Sequence, residues 1–334
     1  MVTLKEIAER VNVSTMTVSR ALQKPEFVNI ETRNKIEAVA AEMGYRPNAL
    51  AQSLLRKRTN NILVIIPDLE NFFFPEIIAS TSDVMKKYGM NILIASSFGK
   101  ISEEKRLLDM GLTRNVDGVM LFAPRVESEY LIQVGSQFPV VVTDRQFESD
   151  VVKQIYLDTK GGAKKAVEYL ISMGHTQIGL IEGPESVQVN LSRKNGFCEA
   201  LRDNGIQLEA RNVFEGDYSF HEGRDAFDYF ISCPASVPTA YFSTNDVMAL
   251  GFIQRAVEKG YSIPKDFSII GFDNSKISFI TTPQLTTVNH PKEQMGFLAA
   301  CEMLCMLDVE VEERPIYNLK NELIIRDSVS RIDA

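Results

Sequence analysis

Val13-Ser14-Thr15-Met16-Thr17-Val18-Ser19-Arg20-Ala21-Leu22 is the stretch from which the rest of the chain can be read. Ser14 suits an N-cap, because its hydroxyl can accept from backbone N–H groups that a first helical turn leaves unpaired. Val18 and Leu22, spaced i and i+4, give that helix an inward stripe. Thr15, Met16, Thr17 and Arg20 are then left on the outer face. Short side chains near a helix N-terminus can approach base edges, and an arginine one turn on can bridge two acceptors of a guanine. The spacing predicts a helix shaped for a major groove.

The flanking residues complete the pattern. Thr3-Leu4-Lys5-Glu6 matches a capping box, and Ile7, Ala8 and Val11 form the apolar stripe of a preceding short helix. Asn12-Val13-Ser14 makes a tight turn between the two, which is the helix-turn-helix arrangement. A third helix is expected from Glu31 to Met43, with Ile36, Val39, Ala40 and Met43 at helical spacing and Gly44 to end it. Three helices in so short a span make a minimal DNA-binding head; the alternative is a helical cap on the larger domain. After Pro47, the segment Asn48 to Arg58 has Leu50, Ala51 and Leu54 on one face and Arg56, Lys57 and Arg58 at its end. Two turns of helix are marginal in water without a partner. As a hinge that folds on DNA, two copies can pair along the small apolar face while a leucine wedges between base steps.

Charge sets this head apart from the larger part of the chain. The 334 residues have a net charge of −8, yet residues 1–59 hold ten Lys/Arg against six Asp/Glu. That is a balance of +4 on the head and −12 on the remainder, as expected when only the head meets phosphates. The length implies more than one domain, and 45% hydrophobic with 24% charged residues is ordinary for a soluble globular protein. The four cysteines suggest reduced thiols, and Cys301 and Cys305, one turn apart, suit a buried helix face better than a metal site. With no basic start followed by an apolar run, and no stretch near the ~20 residues that span a bilayer, a cytoplasmic protein without membrane contact is expected.

From Asn60 onward strands and helices alternate. Ile62–Ile66, Asn91–Ala95, Gly118–Phe122, Pro139–Thr143, Gln177–Ile181, Thr239–Phe242 and Ser268–Phe272 are short apolar strands, with amphipathic segments between them. Such strands, bounded by Gly, Pro and Asp, imply parallel sheets covered on both faces, enough for two doubly wound lobes. Ligands bind beyond the carboxyl ends of these strands. Those ends are polar: Pro67-Asp68 before Phe72-Phe73-Phe74, Thr143-Asp144-Arg145, Glu182-Gly183-Pro184, Thr244-Asn245-Asp246, and Asp273-Asn274. One Asp after a strand is most often a helix cap; five such ends point to a shared cleft.

Taken together these residues resemble the lactose-repressor (LacI/GalR) family of bacterial transcription regulators over essentially the full chain. Val13–Leu22, Glu31–Arg33, Gly44–Leu54, Asn245–Gly251, Ile269–Asn274 and Pro283–Thr287 carry the resemblance, in the family's order. Ile62–Ile78 and Gly216–Gly223 are most similar to its cytidine-repressor and purine-repressor branches. The resemblance implies an α/β chain in three parts: a helix-turn-helix domain over 1–46, a hinge helix over 47–59, and an effector-binding and dimerisation body over 60–334. That body would be like a periplasmic binding protein, with lobes near 60–158 plus 290–319 and 159–289 plus 320–334.

By position, the resemblance implies a homodimer reading a near-palindromic double-stranded operator with Thr15, Met16, Thr17 and Arg20. Asn48, Ala51 and Leu54 belong to the hinge contacts, with Leu54 the minor-groove wedge. It implies a small effector held by the aromatic pair Phe73 and Phe74, the polar residues Asp144, Arg193, Asn245 and Asp273, and the wall residue Tyr218; no cofactor or metal is implied. Where the purine branch has polar contacts, this chain has Val187 and Val189, which argues against a free purine base. The mixture of rings and hydroxyl-binding groups favours a nucleoside over a simple sugar.

Other classes stay in view. A solute-binding protein would not carry a helix-turn-helix, and a regulator answering to a phosphoprotein partner fits the same chain. An enzyme is disfavoured: His175, His221 and His290 sit in no nucleophile motif, and no GxGxxG or Walker loop occurs.

Overall fold

In the computed structural model Thr3 opens the first helix, α1 (Leu4–Val11), by a reciprocal capping box. Its hydroxyl accepts from Glu6 N at 3.3 Å, and a Glu6 carboxylate oxygen accepts from Thr3 N at 2.7 Å. Asn12, at φ 59°, ends α1 in the left-handed region that Asn tolerates better than most residues. Ser14 then caps α2 (Thr15–Gln23), accepting from Thr17 N at 3.1 Å. Asn29 caps α3 (Ile30–Glu42), one residue earlier at each end than the spacing suggested. Ile7, Ala8, Val18, Ala21, Ile36 and Ala40 close a small core between the three helices. The structure describes residues 2–45, 58–113, 115–232, 237–312 and 317–332. It divides into two units, Met1–Thr59 and Asn60–Ala334.

The second unit is built on two sheets. The first has the order β2-β1-β3-β4-β5, with β1 (Asn61–Ile66), β2 (Asn91–Ser96), β3 (Gly118–Phe122), β4 (Val140–Thr143) and β5 (Val152–Ile155) all parallel. The second runs β11-β10-β9-β8-β6-β7, from β6 (Ile178–Glu182), β7 (Val213–Glu215), β8 (Ala240–Ser243), β9 (Ser268–Asp273), β10 (Thr286–Asn289) and β11 (Glu322–Ile324). Its strands are parallel except the antiparallel edge pair β10 and β11. Central strands such as β1 bury five consecutive apolar residues, Ile62 to Ile66. Each large aliphatic side chain so enclosed contributes roughly 1.5–3 kcal/mol relative to exposure.

All seven expected strands form. Those the pattern missed lack an apolar run: β5 reads Val-Lys-Gln-Ile, β7 and β11 have three residues each, and β10 is Thr-Thr-Val-Asn. The helices cover both faces. Among them, α4 (Phe74–Lys87) packs beside α11 (Lys292–Met306) over the first sheet, with Ser80 Oγ donating to Glu293 O at 2.7 Å. Since α11 comes after β10, the chain returns to the first sheet before its last strand joins the second. Cys301 is buried on α11 but Cys305 is exposed, so the two do not share a buried face. No described helix is long and apolar enough to cross a membrane.

Candidate ligand cleft and nucleic-acid interface

The outer face of α2 carries the side chains the sequence placed there. Thr15, Met16 and Arg20 are exposed, Met16 at 63%, and Thr17 is half-buried with its hydroxyl 2.9 Å from that of Ser14. Val18 and Ala21 are the buried residues of the helix; Leu22, expected to point inward, is only half-buried. A helix that turns 100° per residue puts position 21, three after Val18, as close to the core as position 22. The hinge residues Asn48, Ala51 and Leu54 lie outside the described residues.

In the second unit a cavity of about 390 Å³ opens beyond the strand ends of both sheets. Phe73, Phe74, Asp144, Arg193, Tyr218, Asn245 and Asp273 all line it. Phe73 and Phe74 come after β1 and start α4; Asp144 directly succeeds β4. Arg193 comes from α8 (Gln188–Asp203), and Tyr218 from the loop between β7 and α9 (Phe220–Ile231). Asn245 caps α10 (Asp246–Glu258), and Asp273 ends β9. Phe72, adjacent to the aromatic pair in sequence, is turned toward solvent at 49% exposure.

The apolar wall is an edge-to-face set: Phe73 meets Phe74 with centroids 5.2 Å apart and His290 at 4.9 Å. Gly183 leaves room for the ring of Tyr218, which a Cβ would strike at 2.2 Å. The polar wall centres on Arg193. Its Nη2 lies 3.1 Å from Asp273 Oδ1, Nη1 donates to Thr244 O, and its plane stacks 3.9 Å from the Phe272 ring centroid. Both members of that ion pair are buried. Burial raises the Asp273 carboxyl above its ordinary range, while Arg193, His290 and Lys292 act against that rise. Asn245 is committed elsewhere: Oδ1 accepts from Met248 N at 2.9 Å as the helix cap, and Nδ2 donates to Tyr218 O at 3.0 Å. It shapes the wall more than it offers hydrogen bonds to a guest.

Three enclosed polar atoms in this wall have no hydrogen-bond partner: Asp144 Oδ1, Arg193 Nε and Tyr218 Oη. His290 Nε2 lies 3.3 Å from Asp144 Oδ1, an ion-pair distance only when the ring is protonated and without the geometry of a hydrogen bond. Enclosed polar atoms left unmatched cost roughly 1–3 kcal/mol each, so their convergence on one cavity marks a place for a polar guest. Backbone strain gathers at the same place. Phe98, Ala123, Asp144, Tyr218 and Asp273, at φ of 52°, 49°, 58°, 75° and 112°, all line the cavity. Non-glycine residues in this region cost of order 1–3 kcal/mol each and concentrate at ligand sites.

The cavity also contains Asp68, Asn71, Phe98, Arg125 and Asp217, which sequence reasoning did not single out as ligand contacts. Phe98 and Arg125 stand just beyond β2 and β3, so the strand-end rule would have reached them had it not been confined to ends carrying a carboxylate.

Against known proteins, residues 3–48 match the model for bacterial regulatory proteins of the lacI family, and residues 167–329 match a periplasmic binding protein-like domain. The chain is 36% identical to the HTH-type transcriptional repressor CytR of Escherichia coli (strain K12) over 307 residues, covering 92% of this chain and 89% of that protein. This chain belongs to the lacI family. Within the family it is also 32% identical to catabolite control protein A of Priestia megaterium, over 98% of this chain and 99% of that one. The structure of the lac repressor dimer bound to operator and the anti-inducer ONPF superposes with a TM-score of 0.84 at 27% identity, covering 98% and 99% of the two chains. Family membership makes the chain a DNA-binding transcriptional repressor with a small-molecule effector, and its relatives are regulators, not enzymes.

Proposed function

We propose that this repressor binds a near-palindromic operator as a homodimer, through Thr15, Met16, Thr17 and Arg20 of each head. Asn48, Ala51 and Leu54 of each hinge complete those contacts. A nucleoside in the cleft of the second unit controls it. The observation that carries the effector reading is the set of unpartnered atoms on Asp144, Arg193 and Tyr218 beside the rings of Phe73 and Phe74. A ring can stack on the aromatic wall while ribose hydroxyls donate to the carboxylate and accept from the guanidinium. A hexose would use the polar atoms but leave the rings less occupied. Val187 and Val189 line the cavity where a purine base would need polar partners.

Residues 1–46, 47–59 and 60–334 are read as head, hinge and body, with two lobes closing on the ligand. Homodimerisation is supported by apolar side chains left open on the body: Leu93 and Ile94 on edge strand β2, and Phe279 and Ile280 beyond β9. The place of action is the cytoplasm, where the operator is. A thermal-shift series with nucleosides, pentoses, hexoses and their phosphates tests the effector. Ligand that binds only the folded state raises the melting temperature with concentration over Kd. A nucleoside is expected to raise it most; a response only to sugars would overturn the nucleoside reading in favour of a sugar, and a response to none of the series would leave a protein partner as the signal.

A further inference from the structure

The carboxylate of Asp246 is fully buried at the first turn of α10, and Asp246 is not among the residues that line the cavity. Its Oδ2 accepts from Ser275 N at 2.7 Å and from Ser275 Oγ at 3.0 Å. Its Oδ1 accepts from Thr287 Oγ1 at 2.5 Å, and Thr287 Oγ1 in turn accepts from Asn274 N at 3.3 Å. Ser275 and Thr287 are buried as well. One carboxylate thus joins the start of α10, the loop after β9, and β10. Room for it is made by Gly271 on β9, where a Cβ would lie 2.4 Å from Asp246 Oδ1.

The groups tied together are the ones that build the cleft. Asn245, the preceding residue, holds the backbone of Tyr218. Asp273, two residues before Ser275, holds the Arg193 guanidinium. Asp273 and Asn274 both have positive φ, at 112° and 48°. Such a conformation persists only where neighbours over-determine it, and the bonds from Ser275 and Asn274 into the Asp246–Thr287 pair supply that constraint.

We infer that Asp246 is a positioning residue for effector binding, which locks the Asp273–Ser275 loop and the Asn245 helix start into one unit through Thr287. This rests on the reading of the cleft as the effector site, but its first test needs no ligand. Hydrogen exchange on the full-length protein is measured for wild type, Asp246→Asn, Thr287→Val and Thr287→Ser. An amide at position 246 has one acceptor oxygen where three donors converge, so Asp246→Asn should speed exchange in peptides covering 272–279 and 244–249 at least ~10-fold. Thr287→Val should do the same to a smaller extent, and Thr287→Ser, which keeps the hydroxyl, should restore protection. Millimolar adenosine, guanosine, cytidine and uridine are then added to each variant. The nucleoside that shifts wild type should shift Asp246→Asn and Thr287→Val less, and Thr287→Ser normally.

Unchanged exchange at 272–279 in Thr287→Val, or a rise spread evenly over the second sheet, overturns the inference. The threonine pair decides the matter even if Asp246→Asn does not fold. If no nucleoside shifts wild type while the exchange pattern holds, the nucleoside reading falls and the positioning role stands.

Discussion

Arginine serves two physical ends in this molecule, and its surroundings decide which. Arg20 is exposed on α2, so its planar fork is available for a guanine edge. Arg20→Ala should weaken operator binding by about 1–3 kcal/mol and relax preference at one position per half-site, which titration against singly substituted operators measures. Arg193 is buried against Asp273 and Phe272, and truncating one member of such a pair strands the other charge at a cost of roughly 3–5 kcal/mol. Arg193→Ala should therefore abolish the effector response while operator binding stays near its unliganded level; a normal response would place the effector elsewhere. Asp246 adds a pH dependence. Burial, and after it the neighbouring charge of Asp273, lifts its carboxyl to about 7, against hydrogen bonds from Thr287 and Ser275 that act to lower it. A carboxyl that holds its proton more tightly folded than unfolded lends stability that is complete below the ordinary carboxylate range. That stability is lost as pH rises through about 7. Between about pH 5 and pH 8 the wild-type melting temperature should fall relative to that of Asp246→Asn, and parallel profiles would refute the assignment.

At the scale of elements, local chemistry sets the ends and long-range packing sets the faces. The capping oxygens of Thr3 and Ser14 are identifiable from sequence because a cap is a contact between residues three apart, whereas Asn29, which caps α3, is not singled out. Ser14→Ala should lower the stability of the head by about 1 kcal/mol, read as a drop in its urea midpoint, with the body's transition unmoved. Strand β10 shows the opposite case. Thr286 and Thr287 are fully buried although threonine is usually exposed, because their hydroxyls take part in bonds to Arg326 N and Asp246. A polar run of this kind does not announce a strand; its partners, from β9 and β11, make it one.

Across the molecule, opposite charges divide the work: a basic segment meets DNA and an acidic body carries the ligand. Two heads on one operator gain affinity through effective concentration, which is lost when the body cannot pair. Ile94→Asp with Ile280→Asp, both at exposed apolar positions, should shift the protein to monomer by analytical ultracentrifugation. Operator affinity should fall at least ~10-fold with it. A stable dimer in the double variant would move the interface away from these surfaces.

The helical head, the seven apolar strands and the polar loops at their ends are legible in the chain alone, since each is written in spacings of a few residues. Strand ends and resemblance together also brought forward the seven cleft residues. Which of those residues hold one another is a matter of tertiary structure. Arg193 meets Asp273, His290 stands behind Asp144, and Asp246 reaches Thr287 only because the sheet order places β8, β9 and β10 side by side. Periodicity records which face of an element is buried, whereas contacts between distant residues depend on strand order and register, which no local spacing encodes.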